Sequence, residues 1–170
     1  LKIIILTTFF QDKEFCNTFS NGRISFESLK EVKLKMFGRR TYWMLAKPYV
    51  KKIVNKNRFM KSVNRKILSF ILPCDYYREL FEKYNPILVV VPTAHKLYDV
   101  PIVVQANRMK IPVIDIVASW DNFNYTMGDY PQKLIVWNEM MLKEAVKEHN
   151  FKEEDVKVVG APHCDFCYDD

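Results

Sequence analysis

Five short segments of the chain carry dense apolar runs, each the length of a strand: KIIILTT (2–8), PILVVVP (86–92), IPVIDIVAS (111–119), QKLIVWN (132–138) and DVKVVGAP (155–162). Their apolar residues follow one another with little in-and-out alternation. That pattern is expected of parallel strands covered on two faces. A shorter strand is expected near Arg23–Phe26, within GRISFESL. Between the later runs the spacing becomes helical. CDYYRELFEKYN reads as a helix with Asp75 placed to cap it. DVPIVVQANRMK reads as another, with Asp99 as the cap and Pro101 in the first turn. NEMMLKEAVKEHN is a third, with Asn138 at its cap and Glu139 in its first turn.

The stretch from 29 to 71 has no strand pattern. Met36, Trp43, Leu45, Val50, Val54, Phe59, Val63 and Ile67 recur at helical intervals there, which predicts two or three helices with a break near Pro48 or Asn57. Strands that alternate with helices make an α/β domain, a Rossmann-like doubly wound parallel sheet. A chain of 170 residues suffices for one such domain with a sizeable core.

Composition agrees: 49% hydrophobic and 27% charged is a globular balance. No apolar run approaches the ~20 residues of a membrane span. The start, LKIIILTTFF, has neither the basic region nor the small-residue cleavage site of a signal peptide. The chain opens at Leu1 directly in a strand and stops at CYDD, so it is expected to be a fragment incomplete at both ends; processing or an unusual start are the alternatives. Cys16, Cys74, Cys164 and Cys167 make no secreted disulfide framework. Cys164 and Cys167 have metal or redox spacing beside His163, but no second pair accompanies them, and two reduced cysteines are the simpler reading.

The net charge of +6 is unevenly spread. Thirteen Lys/Arg and one acid, Glu31, lie between Lys30 and Lys66, so the rest of the chain is net acidic, with 13 basic against 19 acidic residues. This segment interleaves its charges with Phe37, Tyr42, Trp43, Tyr49 and Phe59. It suits nucleic acid or an anionic membrane surface, where each basic residue contributes ~1 kcal/mol. The alternative is a solvated helix face with its aromatics turned to the core.

In parallel α/β sheets, ligands bind beyond the carboxyl ends of the strands. That rule selects Thr93–Tyr98, Ser119–Pro131, Trp137–Glu139 and Gly160–Asp165. With only four glycines, the chain holds no G-x-G-x-x-G and no Walker loop, and it has no G-x-S-x-G elbow. What remains is carboxylate, amide, imidazole and aromatic chemistry. Trp120 offers a face for a sugar ring, Asp121 can act as a general base on a hydroxyl, and Ser119 and Asn122 can orient that hydroxyl. Equally, Asp121 and Asn122 can form an Asx turn while Trp120 plugs the core. His95 is the alternative base, and His149 sits at a helix end where a cation complements the dipole.

SWDN (119–122) with Gly128 nearby, LIVWNEMMLKEA (134–145), VKVVGAPHCDF (156–166) and the Pro86–Pro92 strand together resemble a group of bacterial and archaeal GT-B-like glycosyltransferases of surface polysaccharide synthesis. That group is similar to the superfamily of CDP-glycerol glycerophosphotransferases and UDP-N-acetylglucosamine 2-epimerases. The resemblance covers 74–166 well and 1–73 loosely. It implies a two-domain fold whose N-terminal half meets the acceptor and whose C-terminal half binds a nucleotide-activated donor. Residues 1–163 would form the acceptor-side domain, lacking a first strand, and 164–170 would begin the linker. In the glycerophosphotransferases a Trp-His-Gly occupies the step matched here by Trp120-Asp121-Asn122, so a carboxylate stands in place of the imidazole.

The resulting expectation is transfer of a sugar or polyol-phosphate from a nucleotide-sugar or CDP-alcohol donor to a glycan or lipid-phosphate acceptor. Asp121 is the candidate base, with Ser119, Trp120, Asn122, Asn138 and Glu139 at the acceptor and a hinge at Gly160, Pro162 and Asp165. No metal or separate cofactor is expected, and the chain alone is expected to be inactive as a transferase. The location would be cytoplasmic, with peripheral membrane contact through 30–66. The competing readings are a nucleotide-sugar 2-epimerase-like enzyme and a noncatalytic module that binds nucleic acid or anionic membrane.

Overall fold

The structure, a computed structural model, describes residues 2–7, 16–18, 20–28, 74–92, 100–118 and 129–161. The helices expected between 29 and 71 and the cap expected at Asp99 lie outside these residues. The chain forms two compact units, Leu1–Ile53 and Val54–Asp170.

In the first unit, β1 (Ile3–Thr7) pairs in parallel with β2 (Ile24–Ser28), in register from Ile3 against Ile24 to Thr7 against Ser28. Asn21 sets the entry to β2. Its side-chain oxygen accepts from the amides of Arg23 and Ile24 at 2.8 and 2.9 Å, an Asx-type turn that aims the chain into the strand.

The second unit holds a four-stranded parallel sheet in the order β3-β4-β5-β6: Val89–Val91, Val113–Ile116, Lys133–Val136 and Val156–Val158. With its helices α1 (Asp75–Tyr84), α2 (Val100–Arg108) and α3 (Glu139–His149), the molecule is the α/β, Rossmann-like type expected from the apolar runs. The strands are shorter than those runs. Of PILVVVP only Val89–Val91 pair, and Ile87 and Leu88 are exposed.

Although both strand faces are apolar, burial alternates. Val89, Val91, Val113, Val117, Leu134, Val136 and Val156 are buried, while Val90, Ile114, Ile116 and Ile135 are exposed or partly so. The core lies on the first face. Helix α2 packs against β3 and β4 on one side and α1 on the other, and Val100 through Ala106 are all buried. Apart from Gln105 that buried stretch is apolar, which fits such a sandwiched position. Helix α3 packs on β6.

Helix α1 begins one residue earlier than expected. The amides of Tyr77 and Arg78 donate to the carbonyl of Cys74, so Cys74 occupies the cap position and Asp75 is the first helical residue, not the cap. In α3 the expected cap is present: the Asn138 side chain accepts from the amide of Met141 at 2.9 Å. The short 3-10 turn at Glu153–Asp155, just before β6, gave no sequence signal.

Candidate functional site

The parallel register aligns the carboxyl ends of β4, β5 and β6. Ile116 is level with Ile135, and Val136 with Val158. Pairing continues one step further on two of the strands. The amide of Val117 donates to Ile135 at 3.0 Å, and that of Val159 donates to Val136 at 3.0 Å. Beyond this line the chain presents Trp137, Asn138 and Glu139 from β5 into α3, and Gly160 from β6. These are two of the strand-end segments that the sequence singles out.

Each of these positions is fixed by a local cause. Trp137 is half-buried, and its indole Nε1–H donates to the Val117 carbonyl at 2.6 Å. Asn138 commits its side-chain oxygen to the α3 cap, the task its residue type performs best. Glu139 is exposed in the first turn of α3, where a negative charge complements the helix dipole. Gly160 has φ +90°, and a Cβ there would meet nothing within 4 Å. Conformation rather than space is therefore what selects glycine.

Of the expected site residues, the structure brings Asn138, Glu139 and Gly160 to one edge of the sheet. Asp121, His95, Ser119, Trp120, Asn122, Pro162 and Asp165 lie outside the described residues, as do Cys164 and Cys167. Val117 is the last paired residue before SWDN, so the chain enters that motif from the same edge.

Two features of the sheet were not foreseen from the sequence. One is the hydrogen bond of Trp137 to Val117 at the carboxyl edge, which joins positions 20 residues apart and leaves no local trace. The other is Asp115, only 1% exposed in β4, level with Val91 and Leu134. In VIDIV it shares the parity of Val113 and Val117, the positions that face inward once the sheet has formed. A buried carboxylate is costly without compensation, so its place in the sheet is a constraint on its surroundings.

At the far end of α3, His149 Nε2 lies 3.9 Å from Glu144 Oε1 with its side chain largely covered, in the last turn as expected. Among the described residues no group of three or more His, Cys, Asp or Glu side chains is arranged to hold a metal ion. Among them, too, no helix is long and apolar enough to cross a membrane.

No protein-family model, no curated protein and no solved structure matches the chain.

Proposed function

We propose that the chain is the acceptor-side half of a GT-B-like transferase of surface-glycan synthesis. One observation carries the reading. The carboxyl edge of the parallel sheet gathers Trp137, Asn138, Glu139 and Gly160 beside Val117, from which the chain runs into Ser119-Trp120-Asp121-Asn122. In a parallel α/β sheet that edge is where ligands bind. The resemblance of SWDN and of the two later motifs to GT-B-like sequences supports the same assignment.

In this mechanism Asp121 removes the proton from an acceptor hydroxyl as it attacks the donor's activated carbon or phosphorus. The nucleotide leaves with the bonding electron pair. Trp120 supplies an apolar face for the acceptor, and Ser119 and Asn122 orient its hydroxyl. Asn138 and Glu139 extend the acceptor surface, and His95 is the alternative base. Closure would hinge at Gly160, Pro162 and Asp165. The donor is a nucleotide-sugar or CDP-alcohol held by a second domain, the acceptor a glycan or lipid phosphate. The protein acts in the cytoplasm, and the basic segment 30–66 rests on the inner membrane face.

The test is a transfer assay on the product of the whole gene, with nucleotide-sugar and CDP-alcohol donors. A positioned general base contributes about 10²–10⁴-fold, so Asp121→Asn should lower kcat by that order. Full activity in Asp121→Asn removes Asp121 as base. Epimerised donor without transfer assigns the scaffold to the epimerase reading instead.

The charge asymmetry favours one second reading, a noncatalytic module that binds through 30–66, where 13 basic residues accompany one acid. Salt-sensitive binding to anionic vesicles or nucleic acid, with no turnover of any donor, would select it.

A further inference from the structure

Asn21 is the only asparagine of the chain followed by glycine, and the pair Asn21-Gly22 stands exposed at the entry to β2. Backbone bonds close the turn: the Asn21 N–H donates to the Ile24 carbonyl at 3.1 Å, and the Ile24 N–H to the Asn21 carbonyl at 3.2 Å. The Asn21 Oδ1 also accepts from the backbone N–H groups of Arg23 and Ile24, at 2.8 and 2.9 Å. To reach amides two and three residues ahead, the side chain folds over the Gly22 peptide. Among the described residues none accepts the Gly22 N–H, and a Cβ at Gly22 would meet nothing within 4 Å. The nitrogen beside the Asn21 side chain is therefore open to solvent and uncommitted.

We propose that Asn21-Gly22 is a site of spontaneous deamidation, activated by its own turn. Hydroxide takes the Gly22 amide proton, and the nitrogen attacks Asn21 Cγ. The Cγ–Nδ2 bond breaks, and ammonia leaves with a proton from water, which restores the hydroxide. The product is a five-membered succinimide. Water then opens this ring at Cγ to give aspartate, or at the backbone carbonyl to give isoaspartate. The sum is hydrolysis of one amide, with no oxidant or reductant. Negative charge develops on Oδ1 as Cγ becomes tetrahedral, and the Arg23 and Ile24 amides already point at that oxygen. Donors at such distances from a developing oxyanion lower the barrier to attack.

The two products act oppositely on β2. Aspartate keeps an oxygen for the same two amides, now as charge-assisted bonds. Isoaspartate routes the chain through Cβ and lengthens it by one carbon, so the Asn21 carbonyl no longer closes the turn onto Ile24. The bond from the Ile3 N–H to the Arg23 carbonyl, 2.7 Å long, lies at the end of the β1–β2 pairing that this shift disturbs first.

The experiment incubates the full chain in mildly alkaline buffer, folded and unfolded in urea, and follows each asparagine-containing peptide by mass spectrometry. The expected result is an amide-to-carboxyl mass change confined to Asn21, several-fold faster in the folded chain than in urea. Gly22→Ala should fold normally, since its Cβ has room, and should lose most of the product because the methyl group hinders the attacking nitrogen. Asn21→Asp should melt at or above the wild-type temperature, and the isoaspartate fraction below it. Asn21 left intact while other asparagines react overturns the proposal. A folded rate equal to or below the rate in urea also overturns it, because the turn then supplies no activation. An undiminished rate in Gly22→Ala does the same, since the Gly22 nitrogen would not be the nucleophile.

Discussion

The side-chain amide of Gln132 donates to Asn107 Oδ1 at 2.7 Å, across 25 residues of sequence. The same Gln132 accepts from the backbone amide of Val113 at 2.6 Å through its Oε1, and its backbone N–H donates to the Val113 carbonyl at 3.0 Å. Asn107 completes the set by donating to the Tyr130 carbonyl at 3.0 Å. Two side-chain amides thereby join the end of α2 to the starts of β4 and β5. They do so at the amino edge of the sheet, opposite the candidate site. Val113 is fully buried, so its amide needs this acceptor.

Gln132→Ala leaves the Val113 amide without its side-chain acceptor, and it should lower unfolding free energy by about 1–3 kcal/mol in urea denaturation. Gln132→Glu retains the acceptor and loses the donor to Asn107, so it should cost less. Equal stability of the Ala variant and wild type would contradict the assignment.

Helix α2 closes with Lys110 at φ +58°, in the left-handed region where glycine is the usual residue. Lys110→Gly relieves the Cβ clash and gives back part of the gain as unfolded-chain entropy. The net effect should be about 0.5–1 kcal/mol of stabilisation, seen as a raised melting temperature. A destabilised Lys110→Gly would mean that the lysine stem contributes more than its backbone costs.

Asn138 separates cap from ligand contact. Asn138→Ala loses the hydrogen bond to Met141 and should cost about 1 kcal/mol. Asn138→Asp keeps a capping oxygen and should leave stability near wild type. A fall in acceptor affinity in the Asp variant, without a fall in stability, would assign the amide to the acceptor. Unchanged affinity would leave Asn138 as a cap only.

Leu134 lies at the centre of the sheet with no exposed surface, whereas Met140 is 73% exposed on α3. Leu134→Ala should therefore cost about 2–5 kcal/mol through lost burial and the cavity left behind. Met140→Ala should stay within about 0.5 kcal/mol of wild type. A comparable loss in both would mean that Met140 is covered in solution, which the concentration dependence of its melting temperature would reveal.

Much of the second unit was legible in the chain because its signals are local. VVV, VIDI and LIV announce strands by composition, and the Asn138–Glu139 pair announces a helix start by chemistry. The cap of α1 was misplaced because the amides of its first turn select the Cys74 carbonyl, whatever side chain follows. Strand length was overestimated at Ile87 and Leu88, since an apolar run extends as far as composition allows while a strand extends only as far as its partner.

Among the described residues, the sequence by itself determined the type and order of the paired strands and of the three helices α1 to α3, and with them the parallel α/β class, since these follow from periodicity and from turn and cap chemistry within a few residues. Only the tertiary structure decided which strand face is the core, that Asp115 lies within it, and that Trp137 and Gln132 close the two ends of β4. Those outcomes depend on pairing register and on contacts between residues some 20 positions apart. No short window of sequence contains both partners, so the physics that joins them acts only once the sheet exists.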